Sequence, residues 1–497
     1  MDTYIYDLIP KEEFEKVSYF PTIPEYLNWI VKEYAELPAL SENGKITTYQ
    51  EMGERIAKRR AFINGLGLNK GAKIAIFDRN SQDAIELFLA ITSAGYVGII
   101  LPSALPEPAV IGSCMKFDVE AVFVRDEFKA LTEKVPCPVY PASSMADEMA
   151  EVTNVDKEDA AAIFFTGGTT GTPKGVVLAH RAIMRGAYNG IFAPGPQIGI
   201  HREIAILPLS HVFGSIRGTM GLFYKGGLLF TSDDVKASLG KIPMIKPTCL
   251  ILVPGLCEIL IGLAKMYGPQ FLGGELKTII TGAANVPPRL QVEFEKLGVT
   301  LCAGYGMTET ANLTTANANV KERPTSIGKL YPGQEAKIVD GELWVKGDNL
   351  FSGYYKDEAN TKATLTEDGW IKTGDLAKVD EDGFYYIVGR IKNLIILSNG
   401  ENVSPETIEE LFYKNPLVRD CLVSEGDNNG TPCIAIDILP QMAAFEGKEW
   451  DEVVATMQGI VDEINKTLPT YEQVAKVSVR KEDFKRTGSL KVARNQN

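Results

Sequence analysis

Short runs of consecutive apolar residues alternate with segments of helical periodicity along the first 325 residues of the chain. These runs predict strands at 73–77, 98–101, 121–124, 204–207, 250–253 and 278–281. A helix is predicted over 83–94, where Ala84, Leu87, Phe88 and Ile91 recur at helical spacing. Continuous apolar strands separated by helices are typical of parallel sheets that are covered on both faces.

The pattern changes near residue 325 and again near residue 390. Between these points, Asp-Gly pairs at 340–341, 368–369 and 382–383 predict tight turns between antiparallel strands. Beyond 390 the pattern predicts helices at 405–413 and 451–467, and strands near 418–424, 433–439 and 475–480. The predicted fold class is α/β. A large N-terminal domain (1–390) holds two parallel-type sheets with helices and a β-rich subdomain at about 325–390, and a small α+β C-terminal domain covers 391–497.

Composition narrows the class of protein. The 497 residues are 45% hydrophobic and 23% charged, as in ordinary soluble domains. A net charge of −13 argues against binding to nucleic acid or anionic lipid. The seven cysteines form no Cys-x-x-Cys pair, which favours a reducing compartment, and we expect a cytoplasmic protein. No secretory signal is visible, and Glu86 interrupts the most apolar stretch, so no membrane-spanning segment is expected.

A loop that is rich in glycine and threonine is the sharpest chemical feature. The apolar run 161–165 leads into Thr166-Gly-Gly-Thr-Thr-Gly-Thr-Pro-Lys174-Gly175. Glycines let backbone N–H groups approach an anion, threonines add hydroxyl donors, and Lys174 adds a compact positive charge. The loop differs from a Walker A loop because Pro173 precedes Lys174. Composition alone does not decide between a phosphate-binding loop and a flexible surface linker. The strand before the loop and the lysine after it favour phosphate binding.

This stretch resembles the phosphate loop of the adenylate-forming superfamily, which includes acyl- and aryl-CoA synthetases, peptide-synthetase adenylation domains and beetle luciferases. The usual family form has serine where this chain has Gly167, so one hydroxyl donor is missing here. Further motifs follow in family order between about residues 45 and 494. They are 208–214 (PLSHVFG), 281–285 (TGAAN), 304–310 (GYGMTET), 368–375 (DGWIKTGD), 389–393 (GRIKN), 397–405 (LSNGENVSP) and 487–494 (TGSLKVAR).

The resemblance implies a role for each motif. His211 would lie beside the acyl pocket and the thiol entrance, and Lys491 would be a mobile catalytic lysine. Tyr305 would offer its ring to adenine, Asp375 would accept hydrogen bonds from the ribose hydroxyls, and Lys392 would be the hinge of a mobile C-terminal domain. The implied catalytic residues are Lys491, Glu309, Thr308 and His211. The implied nucleotide contacts are Thr166, Gly167, Gly168, Thr169, Thr170, Gly171, Lys174, Gly282, Ala283, Ala284, Gly304, Tyr305, Gly306, Asp375, Arg390, Lys392 and Gly400, with Glu309 as the Mg²⁺ ligand.

The resemblance further implies an AMP-forming acid–thiol ligase that uses ATP, Mg²⁺ and CoA, with a carboxylic acid as substrate. Three features of the resemblance favour a medium- or long-chain fatty acid as substrate. They are the segments 326–333 and 390–405 and the ending Thr-x-Ser-x-Lys. Three alternatives stay open: an aryl or other bulky acid as substrate, a carrier protein as thiol acceptor, and a non-catalytic nucleotide binder. Nucleic acid and an integral membrane segment are not expected.

Overall fold

The computed structural model describes residues 4–5, 9, 11–166, 174–192, 201–232, 234–397, 401–428, 431–486, 492 and 494. The strands, numbered along the chain, are β1 (Pro38–Glu42), β2 (Lys45–Thr48), β3 (Lys73–Phe77), β4 (Val97–Ile100), β5 (Val119–Val124), β6 (Val139–Pro141), β7 (Ala160–Thr166), β8 (Lys174–Ala179), β9 (Arg202–Ile204), β10 (Leu228–Phe230), β11 (Cys249–Leu252), β12 (Thr278–Gly282), β13 (Thr300–Tyr305), β14 (Thr315–Asn317), β15 (Lys329–Leu330), β16 (Gln334–Val339), β17 (Glu342–Gly347), β18 (Gly353–Tyr354), β19 (Ile371–Val379), β20 (Tyr385–Arg390), β21 (Ile395–Ile396), β22 (Asn402–Val403), β23 (Val418–Asn428), β24 (Thr431–Pro440) and β25 (Val474–Val479).

The α-helices are α1 (Lys11–Glu15), α2 (Ile23–Glu33), α3 (Tyr49–Asn64), α4 (Gln82–Ser93), α5 (Glu107–Lys116), α6 (His180–Gly190), α7 (Gly221–Phe223), α8 (Val235–Gly240), α9 (Ile242–Ile245), α10 (Pro254–Tyr267), α11 (Pro288–Lys296), α12 (Glu358–Thr364), α13 (Pro405–Tyr413) and α14 (Trp450–Asn465). A π-helix spans Phe213–Met220, and short 3₁₀ helices include Thr308–Thr310 and Ile391–Asn393. Within the described ranges, no helix combines the length and the apolar character needed to cross a membrane.

Two mixed sheets form the centre of the large N-terminal part. The first has the order β18-β8-β7-β4-β3-β5-β6, with parallel neighbours from β7 to β6 and antiparallel neighbours at β8 and β18. The second has the order β11-β12-β13-β14-β15 and is parallel across β11, β12 and β13. Burial of β4 and β12 at every position explains why these strands have continuous apolar sequences. The predicted pair of parallel-type sheets is therefore confirmed, with antiparallel strands added at one side of each.

The predicted strand at 204–207 is wrong in its position. Strand β9 covers Arg202–Ile204 and pairs with β10 over these residues. The following residues are buried, but the carbonyl groups of Ala205 and Leu207 accept hydrogen bonds from the Asn80 side chain, at 2.7 and 2.9 Å. The Ala205 N–H still donates to the Phe230 carbonyl group of β10 at 2.9 Å, but the Asn80 side chain occupies the two carbonyl groups, so the ladder ends here.

The β-rich segment has the predicted antiparallel form. Strands β16, β17, β19 and β20 make one sheet in that order. The turn between β16 and β17 contains Asp340 (φ 50°) and Gly341 (φ 82°), and Val339 pairs directly with Glu342. Two consecutive left-handed residues match the twist of a two-residue hairpin, and Gly341 adopts this backbone without strain.

The C-terminal part has its own core. Strands β23, β24 and β25 form a sheet on which α13 and α14 pack, and the apolar side chains of these elements make one buried cluster. Arg289 of α11 joins this part to the larger one, since it donates hydrogen bonds to the carbonyl groups of Val418 (3.5 Å) and Arg419 (2.6 Å). The α+β character of this part is confirmed, whereas the division at residues 390 and 391 stays a prediction.

Candidate active site

Strands β12 and β13 bring two predicted motifs together at their carboxyl ends. The pairing register sets Gly282 opposite Gly304. A Cβ atom on Gly282 would lie 2.8 Å from the carbonyl oxygen of Gly304, and one on Gly306 would lie 1.2 Å from that of Asn312. Neither position tolerates a side chain, so backbone lines this edge and leaves room for a flat group. Ala283 follows with a left-handed backbone (φ 67°), and Ala284 is exposed beside it.

Tyr305, Asp375 and Arg390 form a hydrogen-bonded triad. The Tyr305 hydroxyl donates to Asp375 Oδ2 at 2.7 Å. Arg390 donates to both carboxylate oxygens, through Nε to Oδ1 and through Nη2 to Oδ2 at 3.3 Å. Asp375 and Arg390 are direct cross-strand partners on β19 and β20. The Asp375 side chain is 3% exposed and the Arg390 side chain 42% exposed, so one side of the pair faces solvent.

In this triad, the charge of Asp375 favours the protonated forms of Tyr305 and Arg390. Burial and the Asp375 carboxylate raise the pKa of the Tyr305 phenol well above its ordinary value, so this hydroxyl stays a donor. Burial is the largest single effect on the pKa of Arg390 and lowers it, but Asp375, Tyr305 and Glu406 together raise it more, and the net shift is upward. Asp375 is therefore a fixed acceptor whose position is set by residues from two sheets.

A second group of residues lies at the ends of the predicted phosphate loop. Thr166 and Lys174 are cross-strand partners at the ends of β7 and β8. The Lys174 ammonium group lies 4.8 Å from the centroid of the Tyr354 ring and donates to Asn360 Oδ1 at 2.7 Å. The Tyr354 hydroxyl donates to Glu309 Oε1 at 2.7 Å. One aromatic side chain thus links the phosphate-loop lysine to the predicted metal ligand.

Glu309 has surroundings that suit a metal-binding carboxylate. It is 6% exposed and lies in the short helix Thr308–Thr310, where Thr308 is also buried. The backbone N–H of Phe351 donates to the Glu309 carbonyl oxygen at 2.8 Å and fixes this turn. Burial and the Glu309 carboxylate raise the pKa of Tyr354, so the tyrosine remains protonated and orients Glu309.

His211 precedes the π-helix. Its Nδ1 atom accepts the backbone N–H of Phe213 at 3.2 Å, and its carbonyl group accepts the Ser215 hydroxyl at 3.1 Å. Phe213 lies near Gly282, where a Cβ atom would be 3.9 Å from the phenyl ring. The His211 motif therefore borders the same edge of the second sheet as the adenine and metal motifs.

Lys392 lies near the triad, in the short helix that follows β20, and its neighbour Asn393 donates to Glu406 at 2.6 Å. Partial burial and Arg390 lower the pKa of the Lys392 ammonium group, and Asp375 raises it less. Seven predicted site residues lie outside the described part of the chain: Gly167, Gly168, Thr169, Thr170, Gly171, Gly400 and Lys491.

Tyr354 and Asn360 are residues that the sequence did not indicate. Tyr354 contacts the predicted metal ligand and the phosphate-loop lysine, and Asn360 accepts from that lysine. Both lie more than 40 positions from their partners in the sequence. The pair of tyrosines at 354–355, which follows a glycine, is too common a pattern to single out Tyr354.

These donor and acceptor groups fit a magnesium nucleotide. A buried carboxylate with fixed orientation, Asp375, suits paired ribose hydroxyls, and the backbone-lined edge at Gly282 and Gly304 suits a planar base. Glu309 supplies a hard oxygen of the kind that Mg²⁺ prefers, and Lys174 adds positive charge for phosphate.

The chain matches two family models. One, described as AMP-binding enzyme, matches residues 27–355, and the other, described as AMP-binding enzyme C-terminal domain, matches residues 392–497. A long-chain-fatty-acid–CoA ligase from Bacillus subtilis (strain 168) is 28% identical over 498 residues, 86% of this chain and 88% of the relative. A 2-succinylbenzoate–CoA ligase from Bacillus cereus is 27% identical over 416 residues, 79% of this chain and 84% of the relative.

A solved structure of similar fold is an O-succinylbenzoate coenzyme A synthetase from Bacillus subtilis in complex with ATP and magnesium ion. It is 23% identical, covers 95% of this chain and 99% of its own, and has a TM-score of 0.78. The predicted class of AMP-forming acid–thiol ligase agrees with the family match and with the names of both relatives. The first family model alone covers well over half of the chain, and the chain therefore belongs to the AMP-binding enzyme family.

Proposed function

We propose that this enzyme joins a medium- or long-chain fatty acid to CoA with cleavage of ATP to AMP and pyrophosphate. In the first step a carboxylate oxygen attacks the α-phosphorus of ATP, and the bond to pyrophosphate breaks. In the second step the CoA thiol attacks the acyl carbonyl, the carbon–oxygen bond to AMP breaks, and the thiol proton is released. A bare carboxylate would have to expel oxide, so the adenylate provides the leaving group.

The observation that carries this proposal is the triad of Tyr305, Asp375 and Arg390. It provides an oriented, buried carboxylate at the backbone-lined edge of β12 and β13, as ribose recognition beside a planar base requires. We assign adenine contacts to Gly282, Gly304 and Tyr305 and ribose contacts to Asp375 and Arg390.

The phosphate side is assigned to Thr166, Lys174 and Glu309. Mg²⁺ held by Glu309 would neutralise charge on the phosphates. Lys174 supplies a fixed positive charge near Tyr354, which needs no reorganisation when charge develops. We assign Lys491, in the proposed C-terminal domain 391–497, to the neutralisation of charge on the α-phosphate during the first step.

The choice of a fatty acid is supported by the relatives and by the apolar side chains that surround a small cavity next to the His211 motif. The cavity lies between α4, β4 and the π-helix and is lined mainly by aliphatic and aromatic side chains: Ile85, Phe88, Leu89, Ile100, Leu209 and Met220, with Ser215 and Thr219. This cavity is about the size of a water molecule, so an alkyl chain would enter only if these side chains moved apart. The B. subtilis relative, named for long-chain fatty acids, spans nearly the whole chain. The relative that is named for 2-succinylbenzoate favours an aryl acid as the second candidate.

Pyrophosphate release with ATP and Mg²⁺ tests this function. The panel contains fatty acids from short to long, aryl acids and bulky ring-bearing acids, each with and without CoA, and a Glu309→Gln variant is the site control. We expect CoA-dependent turnover that is highest with a medium or long fatty acid and is lost in the variant. Turnover that peaks with an aryl acid would overturn the fatty-acid assignment. Adenylate formation without CoA-dependent turnover would instead indicate a carrier-protein acceptor.

A further inference from the structure

The residues on both sides of 487–491 are held against one strand, β23. Arg486 and Val492 form an antiparallel bridge. Val492 packs on a small apolar cluster made of Leu422, Leu439 and Phe484. The two chain segments that flank 487–491 are therefore fixed to each other and to the same sheet of the C-terminal part.

Arg486 adds an ionic attachment at the first of these segments. Its Nη2 atom donates to Asp420 Oδ2 at 2.7 Å and to Asp483 Oδ1 at 3.0 Å. Asp420 also accepts the hydroxyl of Tyr413 at 2.6 Å, so its carboxylate is held from a second side.

Arg494 makes a closed set of contacts at the second segment. Its Nη2 atom donates to Glu409 Oε2 at 2.6 Å, and its Nη1 atom donates to the Val423 carbonyl oxygen at 3.0 Å. The Val423 N–H in turn donates to Glu409 Oε1 at 2.7 Å. Arg494 also lies 3.4 Å from Glu406. Glu409 of α13, Val423 of β23 and Arg494 thus supply hydrogen-bond partners to one another.

Glu409 is unusual because it is a buried acid. Its side chain is 8% exposed, against 27% for Arg494. Burial raises the pKa of the Glu409 carboxyl to about 7, and Arg494 and the Val423 N–H act in the opposite direction. Removing either partner would leave the other without its main contact in a buried site, which makes the pair a firm attachment.

We propose that Glu409 and Arg494 are positioning residues that set the place of Lys491 in the first half-reaction. Lys491 directly precedes Val492 and lies three residues before Arg494 in the sequence, so the two attached residues are its near neighbours along the chain. A long lysine side chain amplifies any displacement of its backbone. The inference rests on the role of Lys491 in the proposed function.

The test separates the two half-reactions in the full-length enzyme. Adenylation is followed as acid-dependent pyrophosphate formation with the acid of highest turnover. Thioester formation is followed from the synthetic acyl-adenylate of that acid and CoA. The variants are Glu409→Gln, Arg494→Lys, Lys491→Ala and the double variant Glu409→Gln/Lys491→Ala. Glu452→Gln is the matched control, since Glu452 pairs with Lys448 at 3.2 Å with both side chains more than 50% exposed.

We expect Glu409→Gln to lower the kcat of adenylation by about 10- to 100-fold, the size expected for a misplaced catalytic group. The KM for ATP and the thioester step should stay within about twofold of the unmodified enzyme, because neither depends on this placement. Arg494→Lys keeps the charge but loses the fork of donors, so a smaller loss is expected. The double variant should be no slower than Lys491→Ala alone.

Equal loss in both half-reactions with a lower unfolding midpoint would overturn the proposal in favour of a purely structural pair. A full-rate Glu409→Gln enzyme, or a double variant slower than Lys491→Ala, would also overturn it. If Lys491→Ala itself adenylates at the full rate, the assignment of Lys491 fails, and that result is seen independently of the Glu409 variants.

Discussion

Two arginine–carboxylate pairs in this protein differ in burial, and the difference indicates what each pair does. Arg59 and Glu86 join α3 to α4, and both side chains are 0% exposed. Arg59 donates to Glu86 at 3.0 Å, to Asp83 and to the Ala142 carbonyl at 2.5 Å. Arg390 and Asp375 pair across two strands, but the arginine is 42% exposed.

In the buried pair, other groups of the protein supply hydrogen-bond partners for the donors of Arg59 and the acceptors of Glu86. Glu86 accepts from Arg59, Arg55 and Gln82, so both of its oxygens have partners. In the exposed pair, Arg390 keeps a solvent-facing side on which a ligand can replace water. Similar groups therefore stabilise the fold in one place, and in the other they form the surface that we propose binds the ribose.

The largest effect is expected from Glu86→Gln. This change leaves Arg59 buried with a weaker partner, and we expect the free energy of unfolding to fall by about 3–5 kcal/mol. Urea denaturation followed by tryptophan fluorescence measures the loss. The control is Glu452→Gln, which breaks an exposed pair with Lys448 and should change stability by less than about 0.5 kcal/mol. Equal stability of the two variants would show that the buried pair contributes no more to folding than an exposed pair.

The next effect concerns pH and His180, at the start of α6. His180 is fully buried and accepts the Ile23 N–H through Nδ1 at 3.3 Å. Burial lowers its pKa to about 4; Asp159 has a smaller effect that raises this pKa, and Lys70 lowers it further. The unfolded chain takes up the proton first, near its ordinary pKa of about 6.5. Stability from this group is therefore complete above that pH and is lost as pH falls toward 4.

The expected loss at pH 4 is about 3 kcal/mol for His180 alone. It is read as the difference between the unmodified protein and His180→Gln, since other groups titrate in both. The two curves of unfolding free energy against pH should converge on acidification below pH 6.5. Parallel curves over this range would show that His180 is accessible to protons in the folded protein.

Asp375→Asn tests the exposed pair. An asparagine keeps an oxygen for Tyr305, and Arg390 can turn to solvent, so the free energy of unfolding should fall by about 1–3 kcal/mol, less than for Glu86→Gln. The charged acceptor for ribose is lost, and kcat/KM for ATP should fall by about 10- to 100-fold, the value of a hydrogen bond to a charged group. Steady-state pyrophosphate release gives the kinetics. Near-normal ATP kinetics with a large loss of stability would reverse the roles of the two pairs.

The smallest effect is expected from Tyr354→Phe. The phenyl ring preserves the contact with Lys174, while Glu309 loses the hydroxyl that orients it. We expect kcat/KM to fall by about 3- to 10-fold, in line with one lost hydrogen bond of about 1 kcal/mol. The Mg²⁺ concentration at half-maximal rate should rise as well. An unchanged Mg²⁺ dependence would remove Tyr354 from the site.

The sequence predicted local structure better than long-range pairing. Helix α13 has its predicted bounds, and the Asp340-Gly341 turn has the expected left-handed backbone, because both depend on neighbouring residues. The strand at 204–207 was displaced because Asn80, more than 120 positions away, bonds to its carbonyl groups.

The sequence motifs predicted most residues of the candidate site, but they did not predict the contacts between these residues. Tyr354 with Glu309 and Arg494 with Glu409 are separated by 45 and 85 positions. Such partners depend on strand register and helix packing, which no local pattern encodes. The pairing of Asp375 with Arg390 likewise follows from the register of β19 and β20.

Direct detection of an acyl-adenylate would show whether this enzyme activates its acid by transfer of AMP from ATP. Enzyme at substrate concentration is mixed with ATP, Mg²⁺ and the preferred acid, without CoA, and the quenched mixture is analysed by mass spectrometry. We expect acyl-AMP in amounts comparable to the enzyme, with pyrophosphate, and its conversion to acyl-CoA and AMP when CoA is added. Formation of ADP, or bound ATP without acyl-AMP for every acid tested, would contradict this expectation.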